Sequence, residues 1–423
     1  MMRTHSARLA GVILTKIKNT LLKTNFKQIK EKVIEGILML SSAATSITVI
    51  LIVFFLFIEG AGVFTKKPID KGFLLAVNGS NPVNRLEPSQ IKDVFDQKIT
   101  NWSELGGKDE PIVLFRTGDI TDYYTEEELG ENFVNFPDKI NELIAKTPGI
   151  IAFFSDKYVN KEFKGKELDI NKITVYKFLS GEEWFPTAEP VAQMGVKPLI
   201  YGTLWVSFGA ILLALPIALA AAIYLSEIAK KRTRNLVKPL IELLAGIPSV
   251  VYGFFGLVVI VPLIQSLFGL PVGETALAGS VVLAIMALPT IITISEDAMR
   301  NTPRAMKEAS LALGASHWQT IYKVVIPYSA SGITAGAILG IGRAIGETIA
   351  VLMVTGNAAV IPHTFLAPVR TIPATIAAEL GEAPNGGLHY EALFALGCIL
   401  FIITFVINIL VELVTNRNSH KKH

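Results

Sequence analysis

The sequence predicts an all-α membrane protein of six transmembrane helices, with a small α/β domain inserted between the first and second on the extracytoplasmic side. Three observations predict it. Of the 423 residues, 51% are hydrophobic and the mean hydropathy is +0.48, more apolar than a soluble globular chain. The apolar residues gather into runs long enough to cross a bilayer. Between the first and second runs, over residues 66–197, the composition reverts to that of a soluble domain, with 22 acidic against 17 basic side chains and a net charge of −5.

Residues 1–32 carry Arg3, Arg8, Lys16, Lys18, Lys23, Lys27, Lys30 and Lys32 against the single acid Glu31. So dense a basic segment beside a span reads as a cytoplasmic N-terminal segment that lies on the membrane surface as an amphipathic helix or is simply solvated. The run 33–58 is too long for a signal-peptide core and has no clear small-residue cleavage site, so it reads as an uncleaved first helix. Further runs follow at about 198–225, 238–264, 275–295, 332–354 and 391–414. The short loop after the second span holds Lys230, Lys231, Arg232 and Arg234. The loop 296–331 holds Arg300, Arg304, Lys307 and Lys323, and the tail 415–423 holds Arg417, Lys421 and Lys422. All three fall on the side of the amino terminus, whereas Gln265–Glu274 has no Lys or Arg, so both termini are expected in the cytoplasm. The single cysteine, Cys398, excludes an intramolecular disulfide and a cysteine-based metal site.

In the insert, the apolar runs Phe73–Val77, Ile112–Phe115, Ile150–Phe154 and Ile173–Tyr176 read as strands, alternating with helical stretches at Pro88–Phe95 and Tyr124–Phe133. Asn81–Arg116 and Lys146–Phe154 resemble the second lobe of periplasmic phosphate-binding proteins, where a Lys-Ile-x-Asn-Trp turn and a strand ending in Arg recur. Those proteins follow the Arg with a Ser-Gly-Thr loop that holds phosphate at a helix start. Here the stretch is Arg116-Thr-Gly-Asp-Ile-Thr121, and Asp119 repels an oxyanion. The resemblance therefore implies a degenerate lobe that docks or spaces a separate binding protein. Residual phosphate contact through Arg116, Thr117 and Thr121 is the sharper alternative.

The polar segment Lys307–Pro327 sits between two spans and cannot lie in lipid. Glu308–Leu313 favours helix, Gly314 ends it, and Pro327 stands at the entry of the next apolar run. Glu308-Ala309-Ser310, Gly314 three residues on, and Val324-Val325-Ile326-Pro327 after nine more match the signature of ABC importer permeases, with conservative departures at Ser310, Val324 and Ile326. From Pro198 onward, Lys238–Leu257, Leu288–Pro303 and Ile338–Asn357 are similar to PstC-type permeases of phosphate ABC importers. The resemblance implies a six-helix type I importer fold in a bacterial or archaeal cytoplasmic membrane. It implies that Glu308, Ala309, Gly314, Ile326 and Pro327 couple to a cytoplasmic ATPase in a helix-in-groove mode. The partners it implies are a PstA-type permease, a PstB-type ATPase dimer and a PstS-type phosphate-binding protein.

Arg343 and Glu347 stand within the fifth span, four residues apart and so on one helix face. An Arg at that depth faces a bundle interior or a partner, and its guanidinium suits a phosphate oxyanion, with Glu347 limiting how tightly the anion is held. A structural ion pair between the two is the alternative. Gly332, Gly336 and Gly340 form a small-residue stripe for helix packing, and Gly246-Ile-Pro248 a break or kink in span three. No Gly-x-x-x-x-Gly-Lys-Ser/Thr loop, catalytic constellation or metal cluster occurs in the sequence. The chain is expected to have no cofactor of its own, with ATP held by the partner subunit, and not to be an enzyme. A permease for another oxyanion, or a membrane sensor or docking scaffold for phosphate, are the alternative functions.

Overall fold

A computed structural model describes the backbone of residues 3–420 and the side chains of residues 30–413. Residues 1–29 of the basic segment 1–32 and the tail 415–423 thus lie outside the residues whose side chains are described. The chain forms two units, Met1–Ile58 and Glu59–His423. The first is helix α1 (Arg3–Ala61), whose apolar side chains Leu38, Leu40, Ile50 and Phe54 are all exposed. A helix hydrophobic on every side is one that lipid solvates.

In the second unit the insert comes first. Its sheet has the order β3-β4-β1-β5, from β1 (Phe73–Asn78), β3 (Val113–Arg116), β4 (Ile150–Ser155) and β5 (Gly165–Glu167). Strands β3 and β4 are parallel, and β1 runs antiparallel to β4 and β5. All five residues Ile150–Phe154 are buried, because both faces of the sheet are covered. On one face Leu75, Ile151 and Phe153 pack with Trp102 and with Ile91 and Val94 of α2 (Pro88–Phe95). On the other, Phe115, Ile150, Ala152 and Phe154 pack with Ile140 and Ile144 of α4 (Phe136–Lys146), an element the sequence reading missed. Short strands β2 (Arg85–Leu86) and β6 (Asp169–Ile170) pair in parallel beside this sheet.

Two expectations fail here. Tyr124–Phe133 is helical only over α3 (Glu126–Leu129), because Gly130 at φ +75° ends it, and a separate 3-10 turn follows. Ile173–Tyr176 is not a strand: the Thr174 hydroxyl accepts a hydrogen bond from Lys177 N at 3.2 Å and so starts helix α5 (Val175–Ser180). A hairpin of β7 (Trp184–Phe185) and β8 (Gln193–Met194) then leads into the membrane core.

The core begins with α6 (Lys197–Ile223), extended by a π-helical turn to Ile228. Next come α7 (Lys231–Ala245) and α8 (Ser249–Phe255), which continues through a π-helical turn into α9 (Val261–Phe268). The third span is therefore Ser249–Phe268 rather than 238–264. Pro248 at φ −59° and ψ 142° lacks an amide hydrogen and leaves the helix there, which makes α7 a separate amphipathic helix. Helix α10 (Ala276–Arg300) is the central post, buried along most of its length against α6 and against α14 (Ala330–Gly346). Between α10 and α14 lie α11 (Arg304–Ala312), α12 (His317–Thr320) and α13 (Ile326–Tyr328). The chain closes with α15 (Ile349–Val354), α16 (Ile372–Glu379) and α17 (Leu388–His420).

Among the described residues, five helices are long and apolar enough to cross a membrane, and a sixth span forms if the pair His317–Tyr328 and Ala330–Gly346, bent by 68°, is taken together. The glycine stripe lies between helices of this one chain. A Cβ on Gly332 would stand 2.3 Å from the Ala298 Cβ, and one on Gly340 2.6 Å from Ile291. The stripe thus brings α14 close to α10.

Candidate coupling and translocation sites

The segment after α10 is a rigid helical corner. Its first arm, α11, ends in a Schellman motif, with Ala315 N donating to Ser310 O at 3.2 Å and Gly314 N to Leu311 O at 3.0 Å. Gly314 has φ +84°, a left-handed conformation that suits glycine. The second arm starts with a capping box, in which Ser316 Oγ accepts from Gln319 N and Gln319 Oε1 accepts from Ser316 N. Ser310 Oγ and Thr320 Oγ1, 3.0 Å apart, tie one arm to the other. Glu308, Ala309 and Gly314 are exposed, and so are Leu311, Leu313, Trp318 and Tyr322, Leu313 at 89%. Ile326 and Pro327 are half-buried at the return to the bundle.

Two ion-pair groups lie beside this corner; Glu296 and Asp297 stand out in the sequence as a charged cluster next to it, whereas their partners on α7 and the Glu227 pair do not. Lys307 Nζ stands 2.7 Å from Oε1 of the buried Glu227, at the end of the second span. Glu296, buried near the C-terminal end of α10, meets Lys238 at 2.5 Å and Arg234 at 3.3 Å, and Lys238 also meets Asp297 at 2.5 Å. Burial opposes the Lys238 charge, but hydrogen bonds to Asp297 and Glu296 outweigh it and hold the ammonium pKa up. These pairs clamp α7 onto α10.

Arg343 lies in the last turn of α14, but the expectation of one helix face shared with Glu347 needs correction. The helix ends at Gly346, and Glu347 is extended at φ −71° and ψ 133° before α15 begins. Among the described residues no ion pair joins the two, and neither side chain has a hydrogen-bond or ion-pair partner. Arg343 is half-buried and within electrostatic reach of the Tyr252 hydroxyl, which donates to Leu244 O at 2.8 Å and so bridges the break before α8. Helices α8 and α15, each following a break, pack closely: a Cβ on Gly253 would lie 2.9 Å from Ala350 Cα. An unpaired guanidinium at such a junction is a ready site for an anion.

In the insert, Arg116, Thr117 and Thr121 share one loop without converging. The Arg116 guanidinium lies over the Phe95 ring at 5.3 Å, and the Asp119 carboxylate accepts from Arg116 N at 2.7 Å. Thr117 and Thr121 point their hydroxyls toward the carbonyls of Phe153 and Gly118, at 3.5 Å each. Asp119 thereby occupies the amide that an oxyanion would otherwise take. A further polar centre lies where the insert meets the bundle. Glu379 accepts from Arg370 at 2.7 Å and from Trp184 Nε1 at 3.0 Å, and His389 Nε2 lies 2.9 Å away.

Residues 210–420 match the family described as the binding-protein-dependent transport system inner membrane component, and residues 62–206 match the PBP superfamily domain. Among relatives, the Probable ABC transporter permease protein YqgH of Bacillus subtilis is 39% identical over 59% of this chain and 81% of its own length. The Phosphate transport system permease protein PstC of Mesorhizobium japonicum is 41% identical over 55% of this chain and 76% of its own length. A solved structure of the MetNI methionine ABC transporter in an inward-facing conformation aligns at 20% identity and a TM-score of 0.42, over 55% of this chain and 99% of the other. With relatives this similar covered over three quarters of their length, the chain belongs to the binding-protein-dependent transport permeases and is of their PstC type.

Proposed function

We propose that this chain is the permease subunit of an ATP-driven phosphate importer, forming half of the translocation pathway in a cytoplasmic membrane with both termini inside. The observation that supports this reading most is the 41% identity to a phosphate permease, met in the same chain by an exposed helical corner at Arg304–Thr320. A second permease of the PstA type completes the pathway, a PstB-type ATPase dimer binds the ATP, and a PstS-type protein delivers the anion. The chain itself carries no ATPase chemistry. Glu308, Ala309 and Gly314 meet the ATPase, with Leu313 and Trp318 filling its groove. Movement of the ATPase passes through α11 and α12 to Glu227 by way of Lys307, and to the bundle by way of Ile326 and Pro327. The bundle responds because the ATPase contacts differ between its two states. Arg343 receives phosphate through its planar donors, and Glu347 keeps the site from holding the anion too long.

Two measurements test this. In cells lacking the native system, labelled-phosphate uptake is expected to vanish in Arg343→Ala and to fall strongly in Arg343→Lys, which keeps charge but loses the fork. Uptake at the wild-type rate in both variants removes Arg343 from the pathway. Excess molybdate or tungstate in the same assay, without effect on uptake, assigns the pathway to phosphate over other oxyanions. Glu308→Lys is expected to abolish co-purification of the ATPase. Full retention of the ATPase removes the docking role.

A further inference from the structure

Helix α5 is built into the outer end of the membrane core. The carbonyl of Phe178 accepts from Val196 N at 2.9 Å, and the carbonyl of Gly181 accepts from Lys197 N at 3.2 Å, directly at the start of α6. Phe178 points inward and is buried with Leu199, Leu393 and Leu396. Away from Phe178 this short helix is apolar and uncovered: Val175 is 55% exposed, Tyr176 78% and Leu179 43%. Nothing in the fold of the insert explains such a face, since Lys177 on the flank is already paired with Glu87.

The face has a neighbour long and apolar enough to cross a membrane. Along the first half of α6 Tyr201, Leu204, Phe208 and Leu212 are exposed, spaced three and four apart, which is the outward stripe of a spanning helix. The hydrogen bonds from Val196 N and Lys197 N hold α5 against the first turn of α6, so its uncovered face lies beside the end of that stripe. Its composition, tyrosines beside Leu and Val with Lys197 paired to Glu182 at 2.6 Å, is that of the boundary between acyl chains and head groups. We infer that α5 is an interfacial anchor: Val175, Tyr176 and Leu179 insert into the head-group boundary of the bilayer and seat the insert on the membrane. The occupant of this face is lipid, rather than a binding protein or a second permease.

A nitroxide placed at Tyr176→Cys, and separately at Leu179→Cys, in a Cys398→Ala background tests this on the full chain in nanodiscs of phosphatidylethanolamine and phosphatidylglycerol. Saturation is compared between oxygen, which partitions into lipid, and a nickel chelate, which stays in water. The expected oxygen-to-nickel accessibility ratio at both positions is several times that at Val134→Cys, an exposed apolar site just before α4. A ratio equal to that at Val134 overturns the inference by placing α5 in water. Low accessibility to both reagents, with or without added phosphate-binding protein, overturns it in favour of a protein partner.

Discussion

At Gly314 the chain turns between α11 and α12 with φ +84° and with open space where a Cβ would stand. A substitution there meets strain alone, so Gly314→Ala is expected to destabilise the corner by about 1 kcal/mol and to lower phosphate uptake. The thermal midpoint and the uptake rate check this together, and unchanged uptake removes any role for the geometry of the turn. Glu379 is the converse case, a residue defined by its partners. Glu379→Ala leaves Arg370 half-buried without its carboxylate and is expected to cost about 2–4 kcal/mol, read by thermal unfolding in detergent. Arg343 was legible in the sequence because a charge within an apolar run needs a reason. Arg370, Glu379 and His389 were not, since all three stand between the apolar runs 332–354 and 391–414, and the Trp184 that completes their cluster is 195 positions from Glu379.

The elements show the same division. The turn at Gly314 and the strands at Phe73, Val113 and Ile150 announce themselves through local chemistry. The end of α14 at Gly346 does not, because nothing in Gly-Glu-Thr forbids a helix and the break is set by packing of α15 on α8. The glycine stripe gives this scale its prediction. Gly340→Val would meet Ile291 and is expected to destabilise the α10 and α14 pair by about 1–3 kcal/mol. Gly342→Ala, which meets nothing within 4 Å, is expected to be tolerated. Equal losses of folded protein in the two variants would remove the packing role of the stripe. In the insert, the hydrogen bond from Lys177 holds the Glu87 carboxyl below its usual value of 4.5. A carboxyl lowered on folding stabilises above that value, and the contribution is lost as pH falls through and beneath it. Glu87→Gln is therefore expected to flatten the acid limb of insert stability, followed by hydrogen exchange around α2 and α5 in the full chain.

Across the second unit, the insert and the bundle share one core. Phe178, Trp184 and Met194 from the insert pack with Leu199, Ile372, Leu388 and Leu396 from the bundle. The composition shift at residue 197 marks a change of solvent, and read alone it suggests two bodies joined by a linker. What the sequence leaves out is that the last hairpin of the insert is buried in the permease bundle, beside the start of α6. Trp184→Ala is expected to cost about 3–5 kcal/mol and to lower the melting of insert and bundle together. A loss confined to the insert would separate them.

That common core has a mechanical outcome. Any tilt of the helix ends that share this core, at Leu199 of α6 and Leu396 of α17, tips the insert by the same amount. Insert and bundle then move as one lever, with no hinge between them.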